Sequence, residues 1–294
     1  MLSRLLILCA ALAGLSTLAA CDDGMARPAP AEVDARVAEA TARLSESPAG
    51  RDVLASIDAH GGLAAWYAAG PLAFRYTYTR LDSLGQPDTV AGAIDTRQRI
   101  DTWAARAVHT LAADSSVQFG LDGATAWTMP GPDAVPTDAR FWSLTPYYFV
   151  GIPFVLADPG VRLEPADTLT VEGELAEQVR VTFESGTGDA PDDYYYLLLD
   201  PETKRTRGVR YVVSYPAFNP DGGHTPETIM LYDGAQTVGD VTLQEGFRSF
   251  LWVDSTRAPG TPKARGTLTE LRSMPELRDA DFAMPAGAVP EADG

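Results

Sequence analysis

Cysteine is nearly missing from this sequence and histidine is scarce. The two cysteines, Cys9 and Cys21, both lie in the first 21 of 294 positions. No internal disulfide can brace the rest of the chain, and without further thiols a thiolate zinc site is excluded. The histidines are His60, His109 and His224, and no His-Glu-x-x-His pair occurs. A Gly-x-Ser-x-Gly elbow and a Walker-type phosphate loop are absent too, so no familiar hydrolytic or phosphoryl-transfer motif is on offer. Positive charge is short: 23 basic residues stand against 40 acidic ones, a net of −17. A nucleic-acid partner is therefore not expected, because phosphate binding needs a basic surface. No apolar run is long enough to span a bilayer as a helix.

What is present begins with an export address. Arg4, an apolar run over 5–15 and small residues up to Ala20 read as a secretory signal, residues 1–20. Leu18-Ala19-Ala20-Cys21 resembles the lipobox of bacterial lipoproteins, which implies cleavage before Cys21 and diacylglycerol on its sulfur. Each buried methylene contributes about 0.8 kcal/mol, so two or three acyl chains anchor a protein stably without a spanning helix. Asp22 and Asp23 resemble an inner-membrane retention signal in one sorting scheme and a surface-export tag in another; a plain solvated start to a tether fits equally. Residues 21–31, poor in large apolar side chains, read as that lipidated tether.

Beyond it the period is helical. Val33, Val37, Ala40 and Leu44 share one helix face. Pro48-Ala49-Gly50 reads as a break, 51–59 as a second helix, and 63–69, carrying Trp66, as two more turns. From Leu72 the period becomes two: Leu72, Phe74, Tyr76 and Tyr78 alternate with Ala73, Arg75, Thr77 and Thr79, a strand with one buried face. Residues 90–103, 117–121, 124–129, 178–183, 209–215, 247–253 and 267–272 repeat this alternation, and His109 falls in another strand. Turn signals such as Asp122-Gly123, Asp200-Pro201 and Asp233-Gly234 lie between them. About ten strands with short polar turns predict an antiparallel meander rather than a parallel α/β fold. Residues 194–199 are apolar on both faces, so cover or a partner is expected there.

Residues 141–157 break the pattern with 17 positions and no charge. Thr145 is expected to cap a helix with Pro146 in its first turn, Gly151 and Pro153 to interrupt it, and Asp158-Pro159-Gly160 to end it. A helix apolar all round must be buried in protein. The predicted fold is thus mainly β: one domain over 32–285, a single curved antiparallel sheet forming a half-open barrel. N-terminal helices close it, the broken apolar helix lies on its concave face, and 286–294 form a loose tail.

Several stretches resemble an uncharacterised family of envelope lipoproteins known only as a domain of unknown function. They are His60-Gly-Gly-Leu-Ala-Ala-Trp66, Pro153-Phe-Val-Leu-Ala-Asp-Pro-Gly160, Gly188-Asp-Ala-Pro-Asp-Asp-Tyr194, Asp200-Pro-Glu-Thr203 and Tyr211-Val-Val-Ser-Tyr215. More distantly, the layout is similar to the Lol-type lipoprotein carriers and receptors (LolA and LolB). That likeness implies a half-open barrel with an apolar cavity for acyl chains, in the envelope of a Gram-negative-type bacterium.

For function, the aromatics are the informative constellation. Trp66, Trp142, Tyr147, Tyr148, Phe149 and Phe154 are the candidate cavity lining, since tyrosine and tryptophan join an apolar body to a polar tip. His60, between a helix and two glycines, is the candidate polar group at the pocket mouth; a helix-end histidine satisfying free carbonyls is its structural alternative. Asp189, Asp192 and Asp193 offer oxygen ligands but lack the spacing of a calcium loop. No metal or cofactor is expected. The leading expectation is a non-enzymatic, membrane-anchored lipoprotein holding a lipid, acylated or other apolar ligand. A filled-core lipoprotein that binds envelope proteins by its surface is the second reading, and an unrecognised hydrolase the third.

Overall fold

The computed structural model describes residues 27–89, 93–190, 192–253 and 258–291. The signal, Cys21, most of the expected tether and the first residues of the strand expected from Val90 lie outside them. Contacts with the folded domain begin before residue 32. Arg27 already donates to the carbonyls of Ala68 and Gly70, at 3.1 and 3.2 Å, and α1 (Pro30–Ser45) begins at Pro30. Next come α2 (Pro48–Ala59) and α3 (Leu63–Ala69). Pro48, read as a breaker, instead opens α2. Ser47 caps the helix by accepting the Gly50 N–H at 2.9 Å, and at the first helical position proline's missing N–H costs nothing.

Five strands follow as a meander: β1 (Leu72–Arg80), β2 (Ala93–Asp101), β3 (Arg106–Leu111), β4 (Gln118–Asp122) and β5 (Thr125–Met129). The chain then forms α4 (Ala139–Gly151) and a 3-10 turn (Phe154–Ala157). A second run holds β6 (Val161–Val171), β7 (Glu174–Phe183), β8 (Tyr195–Leu199), β9 (Thr206–Tyr211) and β10 (Thr228–Asp233). It continues with β11 (Gln236–Val238), β12 (Val241–Leu243), β13 (Gly246–Val253), β14 (Ala258–Ser273) and β15 (Val289–Pro290).

Among the described residues thirteen strands make one sheet in the order β15-β5-β4-β3-β2-β1-β14-β13-β10-β9-β8-β7-β6, while β11 and β12 pair apart. The sheet is antiparallel, strongly curved and not closed, a half-open barrel with more strands than the expected ten. β14 joins the two meanders by pairing with β1 on one side and β13 on the other. The order explains the uncharged segment. β5 lies near one edge and β6 is the other edge, so the link between them must cross the whole sheet. It crosses on the concave face, where α4 and the 3-10 turn join the main core with Leu72, Phe74, Val179, Leu197 and Met230.

Four local expectations are corrected. α4 starts six residues before Thr145, capped by Asp138, whose carboxylate accepts the Phe141 N–H at 2.7 Å. Pro146 therefore sits mid-helix, and the Thr145 hydroxyl donates back to the Phe141 carbonyl at 2.6 Å. The strand expected over 209–215 stops at Tyr211. β10 escaped notice because Ile229, Met230 and Leu231 are buried on both faces, which erases the two-residue period. Residues 286–294, expected to be loose, contribute β15, which pairs Val289 and Pro290 with Thr128 and Trp127 of β5. A two-residue edge strand with a proline also protects that edge from further pairing.

The cover expected over 194–199 is supplied from within. The tip of the β6–β7 hairpin folds back across the convex face, where Leu169, Val171 and Ala176 bury Leu198, Ile229 and Leu231. Glu172 at that tip reaches Arg248 on β13 at 2.9 Å, and Glu174 reaches Arg207 on β9 at 3.0 Å.

Candidate functional site

The motif stretches His60–Trp66 and 153–160 meet each other. Trp66 stacks on Phe154, with ring centroids 4.8 Å apart and planes 2° from parallel, and both are about 1% exposed. His60 ends α2 against the β11–β12 hairpin. The Thr242 carbonyl, 2.9 Å from Nδ1, places a proton there, and Nε2 accepts the Thr206 N–H at 3.1 Å. Burial pushes this imidazole's pKa down. Gly61 follows with φ +115°, and a Cβ there would lie 2.2 Å from the Asp240 carbonyl oxygen, so only glycine allows the hairpin this close. Arg36 pairs with Asp158 at 3.1 Å, and Arg43 bonds the Ala157 carbonyl. These residues form a joint between the helices and the 3-10 turn, packed at Trp66 and Phe154 and partly exposed at Arg36 and Asp158. His60 sits at the C-terminal end of α2 and borders neither of the two cavities beside α4.

The open space lies further along the uncharged segment. A cleft of about 530 Å³ separates α4 from the concave faces of β1, β9 and β10, within the range of small-molecule sites. Trp142, Phe149, Tyr76, Tyr78, Tyr211 and Met230 are among its walls. Tyr78 meets Trp142 edge-on at 5.1 Å, and Phe149 meets Tyr211 at 4.9 Å. A second cavity of about 460 Å³ lies on the other side of α4, bordered by Tyr148, Leu144 and Tyr195 and sharing Phe141, Thr145 and Phe149 with the first. Of the six candidate lining residues, Trp142, Tyr148 and Phe149 border these spaces. Trp66, Tyr147 and Phe154 border neither and are packed in the core.

α4 is pinned by polar contacts on this side. His109, fully buried, bonds the Ser143 carbonyl through Nε2 at 2.9 Å and stacks on Phe119 at 4.4 Å. Its pKa is pushed down to about 4 by burial. Near the helix end, the Phe149 carbonyl accepts from the Tyr232 hydroxyl at 2.9 Å and the Gln244 amide at 3.1 Å. Burial raises the Tyr148, Tyr211 and Tyr232 hydroxyls well above the usual phenol range, so they stay neutral; the Tyr148 hydroxyl has no hydrogen-bond partner among the described residues.

The three aspartates do not converge. Asp189 pairs with Arg140 at 2.9 Å. Asp192 is exposed. Asp193 is buried and accepts the Ser214 N–H at 2.6 Å, the Ser214 hydroxyl at 2.8 Å and the Tyr195 hydroxyl at 3.2 Å. Among the described residues no cluster of three or more acidic, histidine or cysteine side chains could hold a metal ion. His224 is exposed and bonds the Thr225 carbonyl at 2.8 Å. No described histidine bonds a carboxylate.

A half-open antiparallel barrel with a helix across its concave face defines the class. No family model and no curated protein matches the chain. Among solved structures it is similar to a LolA-superfamily protein of Nitrosomonas europaea, with a TM-score of 0.53 at 8% identity over 81% of this chain and 99% of that one. A DUF1329 family protein of Desulfovibrio piger aligns at a TM-score of 0.47 and 9% identity, over 85% of this chain and 97% of that one. The architecture is thus of the Lol type, a likeness of fold alone.

Proposed function

We propose that the protein is a non-enzymatic lipoprotein of the bacterial envelope, anchored through Cys21, that holds a lipid or acylated ligand between α4 and the sheet. One observation carries the reading: the apolar segment that crosses the concave face fills it only in part, leaving an aromatic-walled cleft of about 530 Å³ beside Trp142 and Phe149. A filled-core protein would close such space, because interiors pack to the density of organic crystals. The LolA-superfamily fold adds weight of analogy to the same reading.

Native mass spectrometry of the protein purified from envelopes should reveal co-purified lipid, and Phe149→Trp should change its fluorescence when dodecanoate is added. A lipid-free spectrum together with a flat titration in a folded variant would sink the proposal and leave the filled-core reading. Loss of Cys21 should release the protein from the membrane fraction; retention would place the anchor elsewhere.

A further inference from the structure

One end of the cleft carries two cations that have no carboxylate partner among the described residues. Arg80 ends β1 on the same parity as Tyr76 and Tyr78, so it continues the wall those tyrosines make. It pairs with Ala264 of β14; the next residue, Lys263, is skipped by a register irregularity opposite β13, and both Arg80 and Lys263 line the cleft. The Lys263 ammonium donates to the Thr228 hydroxyl at 2.9 Å. An ammonium has three donors, and the other two meet no described residue. The Arg80 guanidinium likewise bonds no described residue. Burial and the charge of Arg80 lower the Lys263 pKa.

Asp82 and Asp88 share the rim, and neither Arg80 nor Lys263 forms an ion pair with a described residue. The Asp82 carboxylate is committed to its own turn, accepting the N–H groups of Leu84 and Gln86, both at 2.9 Å. In a chain with 40 acidic residues against 23 basic ones, a like-charged pair left open at one end of an apolar cleft calls for a ligand that brings the counter-charge. Apolar side chains also border the cleft, among them Leu81, Leu251, Pro262 and Phe218, the last of which is 46% exposed. A small free anion would have no use for these surfaces. A neutral lipid would leave a half-buried ammonium short of partners, which costs free energy.

We infer that Arg80 and Lys263 form a head-group site for an oxyanion, a carboxylate or phosphate, at the head of an amphiphile whose chain lies along Tyr78, Trp142 and Met230. This rests on the cleft being a ligand site and names the class of ligand. The chain contributes burial, and the head contributes charge-assisted hydrogen bonds.

The test uses the full chain carrying Cys21→Ala, so that no attached acyl group competes. Dodecanoate, dodecyl phosphate, dodecanol and inorganic phosphate are titrated below micelle-forming concentrations, with calorimetry as the readout. The two anionic amphiphiles should bind at least about tenfold more tightly than dodecanol, the equivalent of one charge-assisted hydrogen bond. Arg80→Gln with Lys263→Gln should remove that preference while dodecanol binding and the melting temperature stay unchanged. Arg80→Lys with Lys263→Arg should keep the preference. Equal binding of dodecanol and dodecanoate by the parent protein would overturn the head-group site and leave the cleft reading standing. Inorganic phosphate binding as tightly as dodecyl phosphate would replace it with a free-anion site. Failure of all three amphiphiles to bind would overturn both readings.

Discussion

The two ends of the segment over 141–157 share a lack of charge and have opposite surroundings. At its C-terminal end Phe154 lies against Trp66 and is 1% exposed, and Val155, Leu156 and Ala157 are buried with it. Neither cavity reaches these residues. At the N-terminal end Phe141, Trp142 and Phe149 border open cavities on both sides of α4. Packing holds the first end. Polar pins hold the second: the Asp138 cap, His109 on the Ser143 carbonyl, and Tyr232 and Gln244 on the Phe149 carbonyl. A helix that must keep its place beside unfilled space cannot rely on contacts that are missing, so hydrogen bonds to its backbone take over.

Mutations at the two ends should separate these roles. The largest effect is expected at the sealed end. Phe154→Ala should destabilise the fold by about 3–5 kcal/mol, as other truncations of buried aromatics do, measured by urea unfolding. A loss below about 1 kcal/mol would erase the contrast. Acid should act next, on the pinned end. The His109 imidazole titrates at about 4 in the folded chain against 6.5 when unperturbed. Its contribution is full above pH 6.5, because the native state keeps the ring neutral at no cost there. As pH falls from 6.5 to about 4 the unfolded chain takes up a proton that the native state refuses, and roughly 3 kcal/mol is lost. His60 shifts in the same direction. His109→Gln should flatten this limb of a stability-against-pH curve; an unchanged limb would show that the ring does not titrate as described. Asp138→Ala, which removes the α4 cap, should cost about 1 kcal/mol and loosen ligand binding more than it loosens the fold. The smallest effect is expected at the rim: Phe218→Ser should leave stability within about 0.5 kcal/mol while weakening retention of long-chain amphiphiles. A large stability loss there would make the rim part of the core.

Parts of both fold and site were legible in order along the chain. The even-numbered residues of β1 face the concave side, Leu72 and Phe74 in the core and Tyr76 and Tyr78 on the cleft, and Trp142, Tyr148 and Phe149 stood out because no charge lies near them. Tyr147 and Phe154 belong to the same segment, yet they and Trp66 border neither cavity, since lack of charge reports burial and not what does the burying. Met230 was missed because its strand is buried on both faces. Arg80 and Lys263 were missed because 183 positions separate them and only the β1–β14 register brings them together. Asp138 was overlooked as a cap because Thr145-Pro146, later in the segment, carries an equally good local start signal.

The sequence by itself determined the class of the structure. Two-residue alternation between polar turns commits a chain to antiparallel strands with one buried face, and with both cysteines in the first 21 positions no disulfide can form within residues 22–294. Those are local properties, set by backbone geometry and side-chain type. Tertiary structure alone decided which part of the apolar segment is sealed and which borders a cleft. It also set how the β6–β7 tip covers the convex face, and which two cations share a rim. The reason is physical: the crossing from β5 to β6 is forced by strand order, and strand order depends on pairings between residues far apart in the chain. A cavity is what remains when the side chains brought together by those pairings fail to fill the space between them.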